Sequence, residues 1–595
     1  MSPLAPYRSR PPKGALGSGP AKPDPRRGSI KSILSAAFAL LVGCATPEAP
    51  LPSADALKAA CPALQGLALP ANIIGLPSGP ASITAATFVP AAPAREAGGA
   101  LQPATPDHCR VLGRIAPRTA QAQPIQFQLN LPLAWNGKAL QYGGGGLNGV
   151  LITGMAPLRD AAPGDVLPIT RGYATYGTDS GHQASASPPS EPGAFLLDDE
   201  MFENFAHGAY KKVRDAAVAI QRAYYGRPPQ RVYYFGGSEG GREGLAMAQR
   251  YPADYDGIVS VVPVVGWTGL FHAFVRHEVP QFADWLQAGK VPLIARATSQ
   301  ACDALDGLAD GVVNNYLACQ PRVDLTRLRC AGGADTGLDC LSDGELALLG
   351  SIHTRYVFPF PLAHGRTTYP AWLWGHEDAL DGPAAQSLVR WVTGTAAPTV
   401  PPNAATAATQ WLYGSNWIRY AIARDAAFDV RGYDPRRYQA RVQQTSEWMD
   451  ATSPDLSAFF ARGGKLIIRE NAADRAQSAA MGFEYVDSVI ARLGRPAVDA
   501  SLRLYVSPAS THTGNSRSVG EGRPVPTMVD LLDPLDRWVS SGTPPPDALV
   551  QALKAPLAPH AHIASRPMCR YPLYPHHTGG DRLQASSYAC RVSAP

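Results

Sequence analysis

The stretch "YYFGGSEGGREGLAMAQRYPADYDGIV", Tyr233 to Val259, decides the fold. It contains Gly236-Gly237-Ser238-Glu239-Gly240, a G-x-S-x-G pattern. Alone the pattern is weak, since a chain this long and glycine-rich expects roughly 0.3 chance matches. Its flanks carry the weight. "RVYYF", Arg231 to Phe235, is a β-branched and aromatic run that reads as a buried strand. "GREGLAMAQRYP" reads as a helix that stops at Tyr251-Pro252. Ser238 therefore falls on a tight strand-to-helix turn, where Gly236 and Gly240 leave room for the crossing backbone. The helix start directs free N–H groups and a positive dipole end at Ser238. The Glu239 N–H is thus a candidate oxyanion donor.

An acyl-transfer site needs a second donor. "WNGKALQYGGGGLNG", Trp135 to Gly149, runs from a strand-like segment into four glycines. Without Cβ atoms, backbone N–H groups there can approach a ligand, and Gly146 or Gly145 is the expected donor. No Lys-Ser/Thr follows, which argues against a phosphate loop. Downstream, strand-like "KLII" (Lys465–Ile468) precedes Asp474, and "RLYV" (Arg503–Val506) precedes His512. All three residues follow strands, and in an open parallel sheet such loops gather at the strands' carboxyl ends. Ser238, Asp474 and His512 can then converge as nucleophile, orienting acid and base.

Composition narrows the class. The 595 residues include 45% apolar and 17% charged residues, enough for a sizeable core, with 57 Gly and 57 Pro suggesting long loops. A net charge of +5, scattered rather than blocked, offers no nucleic-acid footprint. Residues 1–44 read as a signal peptide: Arg26, Arg27 and Lys31 precede the apolar run Ile33–Val42, too short to span a bilayer, and "LVGC" ends it like a lipobox at Cys44. The expected protein is exported, as a periplasmic or outer-membrane lipoprotein lipidated at Cys44 or else secreted, with residues 45–60 as a tether. Eight cysteines remain beyond Cys44, and neighbour proximity pairs Cys61 with Cys109, Cys302 with Cys319, Cys330 with Cys340, and Cys569 with Cys590. No CxxC or Cys/His cluster suggests zinc.

Taken together, "RGYATYGTDSGH" (Arg171–His182), the Ser238 stretch, "CDALDGLADGVV" (Cys302–Val313), "GGKLIIRENAAD" (Gly463–Asp474) and "STHTG" (Ser510–Gly514) resemble the tannase and feruloyl esterase family of α/β-hydrolases. "SEGGREG", "CDALDGLADGVVNNYLACQ" and "RPMCRYP" (Arg566–Pro572) resemble most its hydrolases of mono(2-hydroxyethyl) terephthalate. The resemblance implies an α/β fold: an α/β-hydrolase domain over residues 61–267 and 449–595, with a large lid, 268–448, inserted after the Ser238 helix. It implies the triad Ser238, Asp474, His512 and the donors Gly146 and Glu239. It also implies a structural Ca²⁺ held by Asp303, Asp306 and Asp310 with the carbonyls of Leu308 and Val312, hard oxygen donors that suit the ion. No organic cofactor is implied.

The chain departs from the family at two positions where cysteines would tie the Ser and His loops together: here they are Gly237 and Thr513. Glu470-Asn471 replaces the usual His-Gly ahead of the acid. The terephthalate hydrolases grip a free carboxylate with a lid arginine. That point falls near Ala408 here, with Arg390 and Arg419 elsewhere, and Gln477 stands where they place a phenylalanine. Trp391, Ala476 and Gln477 are the expected substrate contacts.

The expected function is hydrolysis of esters of aromatic acids through an acyl-serine, by a monomer whose partner is a small aromatic ester. Hydrolysis of mono(2-hydroxyethyl) terephthalate itself is the nearer alternative. The other class is a lipid-anchored binding protein on a degenerate hydrolase fold, motivated by Gly237, Glu470 and Thr513. Turnover of p-nitrophenyl esters separates them.

Overall fold

A computed structural model describes residues 50–97, 100–382 and 385–593. The signal peptide, Cys44 and residues 45–49 lie outside them. Leu51–Pro595 forms one compact body.

Its spine is a twelve-stranded sheet. In chain order the strands are β1 (Ala68–Leu69), β2 (Ala81–Val89), β3 (His108–Ile115), β4 (Ile125–Pro132), β5 (Lys138–Tyr142), β6 (Ala174–Thr178), β7 (Arg231–Gly237), β8 (Gly257–Val261), β9 (Lys465–Asn471), β10 (Leu502–Ser507), β11 (Ala548–Lys554) and β12 (His562–Arg570). They lie side by side as 1-2-3-4-6-5-7-8-9-10-12-11. The run from β6 to β10 is parallel, and both flanks are antiparallel. β8 and β10 are buried at every position, which explains why the central strands read as continuous apolar runs rather than alternating ones.

Six helices bear on the site. They are α1 (Ala54–Ala60), α2 (Ala209–Tyr225), α3 (Glu239–Arg250), α4 (Trp267–Glu278), α5 (Thr409–Asn416) and α6 (Ala479–Leu493). α1 corrects the tether: residues 54–60 are not free linker but a helix capped by Ser53, with Leu57 in the core and Cys61 bonded to Cys109 of β3. One buried leucine and one disulfide suffice to hold a seven-residue helix that could not stand alone.

β8 and β9 are neighbours in the sheet, yet residues 262–464 separate them in sequence. The expected lid, 268–448, falls inside this connection, and α4 begins one residue ahead of it. Within it α4 packs on α5, and disulfides Cys302–Cys319 and Cys330–Cys340 staple its loops. Cys569–Cys590 ties β12 to the C-terminal ribbon. No helix among the described residues is long and apolar enough to cross a membrane.

Candidate active site

Ser238 sits between β7 and α3 with φ 61° and ψ −121°, a conformation a non-glycine residue rarely adopts. Crowding enforces it. A Cβ on Gly240 would meet the Gly144 carbonyl at 2.6 Å, and one on Gly236 would meet the Gly240 Cα at 3.0 Å. Only glycines let strand, helix and glycine loop come this close.

The His512 Nε2 lies 2.9 Å from Ser238 Oγ, and its Nδ1 lies 2.7 Å from Asp474 Oδ2. Asp474 is buried, and its Oδ1 accepts the N–H groups of Ala476 (2.7 Å) and Gln477 (3.1 Å). Each lone pair on the acid is thus directed, and the imidazole can carry its acceptor nitrogen towards Ser238. These contacts join loops 274 and 38 residues apart in sequence.

Gly145 and Gly146 are now distinguishable. The Gly145 N–H is bonded to Asn148 Oδ1 at 2.5 Å, whereas Gly146, at φ +60°, lines the cleft beside Ser238 and Glu239. The Glu239 side chain turns away into a buried ion pair with Arg242.

The cleft over Ser238 is apolar. Trp267, Leu270, Phe271 and Phe274 form one face of α4, Trp391 and Tyr413 come from the far side, and Val264 and Ala476 complete it. The spacing 267, 270, 271, 274 is a helical stripe, a signal present in the sequence but indistinguishable there from an ordinary core face. Tyr413 Oη stands over Gly146, where a Cβ would meet it at 2.9 Å. Trp391 meets the His512 ring edge-on at 5.3 Å between centroids, and its Nε1 donates to Asp381 Oδ2. Trp391 and Ala476 line the cleft as expected of substrate contacts. Gln477 does not: it is buried, with neither amide atom partnered, because the turn after Asp474 sends residue 477 inward.

No arginine or lysine lines this cleft among the described residues. Arg390 donates to the Asp381 carbonyl at 3.0 Å, and Arg419 donates to the Ala426 carbonyl. Ala408 is buried.

Glu470 lies behind Asp474 on β9, and both its carboxyl oxygens are buried without a partner. Burial pushes its carboxyl well above the usual range, and the neighbouring Asp474 charge adds to the shift. It therefore resists ionisation in the fold far more than an exposed glutamate does.

The aspartate loop is built differently from a cage. Asp303 accepts the N–H groups of Asp310 (3.2 Å), Gly311 (2.9 Å) and Val312 (3.1 Å). Asp306 accepts the Leu308 N–H at 3.1 Å, and burial raises its carboxyl to about 7. Arg566 lies 3.1 Å from Asp310 Oδ2. Among the described residues no three acidic, His or Cys side chains are grouped to hold a metal. The donor chemistry nevertheless fits a hard cation: Asp310 Oδ1 is buried and unpartnered, and the remaining donors are carboxylate and carbonyl oxygens.

A family model for tannase and feruloyl esterase matches residues 109–591. An uncharacterized esterase of Agrobacterium fabrum is 34% identical over 94% of this chain and 99% of its own length. The mono(2-hydroxyethyl) terephthalate hydrolase of Piscinibacter sakaiensis is 31% identical over 86% of this chain and 89% of its own. The crystal structure of feruloyl esterase B from Aspergillus oryzae superposes with TM-score 0.71 at 20% identity, covering 90% of this chain and all of that one. With its strained serine turn, the parallel centre of its sheet and this match over most of its length, the chain belongs to the tannase and feruloyl esterase family.

Proposed function

We propose that the protein is a serine esterase that hydrolyses uncharged esters of aromatic carboxylic acids. The observation that carries this reading is the Ser238–His512–Asp474 chain of hydrogen bonds opening into an aromatic cleft that no cation lines among the described residues. In the first half-reaction Ser238 Oγ attacks the ester carbonyl carbon while His512 Nε2 takes its proton. The resulting oxyanion accepts hydrogen bonds from the Gly146 and Glu239 N–H groups, which are worth most where charge develops. The tetrahedral intermediate collapses, the C–O bond breaks, and the alcohol leaves with the proton from His512. Water, deprotonated by His512, then releases the acid from the acyl-serine.

The substrate's ring would lie against Phe271 and Trp391, and the Tyr413 hydroxyl would meet a polar substituent. A free carboxylate would find no guanidinium, forfeiting a charge-assisted pair of about 1.5–3 kcal/mol. The kcat/KM for mono(2-hydroxyethyl) terephthalate is therefore expected to be roughly ten- to a hundredfold lower than an arginine-bearing site would give, and lower than that for methyl ferulate. Side-by-side kinetics with Ser238→Ala as control test both parts. Surviving activity in that variant defeats the triad, and a preference for the terephthalate ester defeats the neutral-substrate reading.

Ca²⁺ is part of the proposal as a structural ion at Asp303, Asp306 and Asp310 with the Leu308 and Val312 carbonyls, closing the lid loop and taking no part in the chemistry. Export follows from the four disulfides. Anchoring through a lipidated Cys44 is proposed with it, and mass spectrometry of the mature N-terminus tests that.

A further inference from the structure

One side chain outside the triad touches the His512 backbone and packs beside Gly237, the residue before Ser238. Arg159 lies in the long β5–β6 connection, the same segment that carries Gly146. Its Nη2 donates to the main-chain carbonyl of His512. Its stem lies flat on Gly237, the residue before Ser238: a Cβ there would meet Arg159 Nη1 at 2.6 Å and Nε at 3.0 Å. The Nε is buried and has no partner. Among the described residues, the guanidinium's one hydrogen bond is thus to the base's own carbonyl.

The next residue works on the same loop. Asp160 holds a left-handed φ of +64°, and its carboxylate is 2.9 Å from the buried Arg469 guanidinium. Arg469 in turn donates to Asn471 at 3.0 Å, and Asn471 donates to the Thr511 carbonyl at 2.8 Å. The His512 loop is thus gripped at residue 511 from the β9 side and at residue 512 from the Arg159 side. Positions 237 and 513 lack the cysteines that the family resemblance expects, and the space beside Gly237 is filled by the arginine stem.

We propose that Arg159 is a positioning residue that sets the Ser238–His512 spacing, a non-covalent clamp between the nucleophile turn and the base loop. The proposal rests on the triad reading above. The position calls for a long side chain with a terminal donor: its stem covers Gly237, and the donor reaches the His512 carbonyl. Arg159 does not line the cleft over Ser238. Loss of the clamp lets Nε2 drift from Oγ, and a misplacement of about 1 Å at a reacting pair lowers the rate on the order of a hundredfold.

The test compares wild type with Arg159→Ala, Arg159→Met and Arg159→Lys, using methyl ferulate as substrate. Active sites are counted by labelling with a fluorophosphonate, so the rate is expressed per competent serine and unfolded protein does not enter. Arg159→Met keeps the stem on Gly237 and removes only the donor, so it remains informative if the alanine variant folds badly. The expected result is kcat per labelled site lower by ten- to a hundredfold in Arg159→Met and Arg159→Ala, KM within twofold, and recovery to within about fivefold in Arg159→Lys. Either kcat per site within twofold of wild type in Arg159→Met, or a rise in KM that accounts for the whole effect, overturns the clamp. A wild-type enzyme that is active yet unlabelled at Ser238, with activity surviving in Ser238→Ala, overturns the triad reading instead.

Discussion

Replacing Glu470 with glutamine should leave the protein unchanged in acid and make it more stable near neutrality. A buried carboxyl with no partner resists ionisation in the folded chain, but in the unfolded chain it ionises above about 4.3. Its folded pKa is raised, so between those two values the folded state binds the extra proton. Stability then falls as pH rises through this window, by up to about 1.4 kcal/mol per pH unit. Each pH unit inside this window thus costs the wild type about 1.4 kcal/mol of stability. Glutamine has the same shape, leaves a similarly unpartnered polar group and carries no proton to lose, so the slope disappears. For a body spanning Leu51–Pro595 the unfolding entropy is on the order of 1 kcal/mol/K, and the expected gain in Tm is about 1 °C for each pH unit crossed inside the window. Differential scanning calorimetry of both proteins at a series of pH values reads it directly. Esterase activity at pH 7 should stay within about threefold, because the substitution leaves Asp474 in place on His512 Nδ1. A gain in stability that does not grow with pH, or a loss that does, would show that Glu470 is ionised in the fold and refute the argument.

Ser238→Ala should lower kcat by about 10⁶ with Tm nearly unchanged, and Asp474→Asn by about 10⁴, measured on methyl ferulate by product chromatography. Asp303→Ala combined with Asp306→Ala should lower Tm and remove its response to EDTA. A wild-type protein that ignores EDTA and is metal-free by elemental analysis rules out the Ca²⁺ site. Gly237→Cys with Thr513→Cys should lower Tm in the native background, because the new Cβ at 237 collides with the Arg159 stem. A higher Tm with two fewer free thiols would show that the arginine yields the space to a bridge.

Much of this was legible in the chain because it is written in neighbours. The strand "RVYYF", the glycines and the helix after them specify a strained turn at Ser238 whatever else the protein does, since sterics within a few residues impose it. The placement of Asp474 and His512 just after apolar strands followed from the same local patterning plus one rule about parallel sheets. The tether ran too long because a seven-residue helix earns its stability from Leu57 and the Cys61 disulfide, partners that lie far away in sequence. The cleft wall on α4 escaped notice for a related reason: 267, 270, 271 and 274 show the same periodicity whether they face a core or a substrate. Charge state and contact at a distance are likewise properties of the packed molecule. Glu470 comes to resist ionisation only when the sheet and α6 remove its water, and Arg159 becomes a clamp only when the fold sets it between Gly237 and His512, 78 and 353 residues further along the chain.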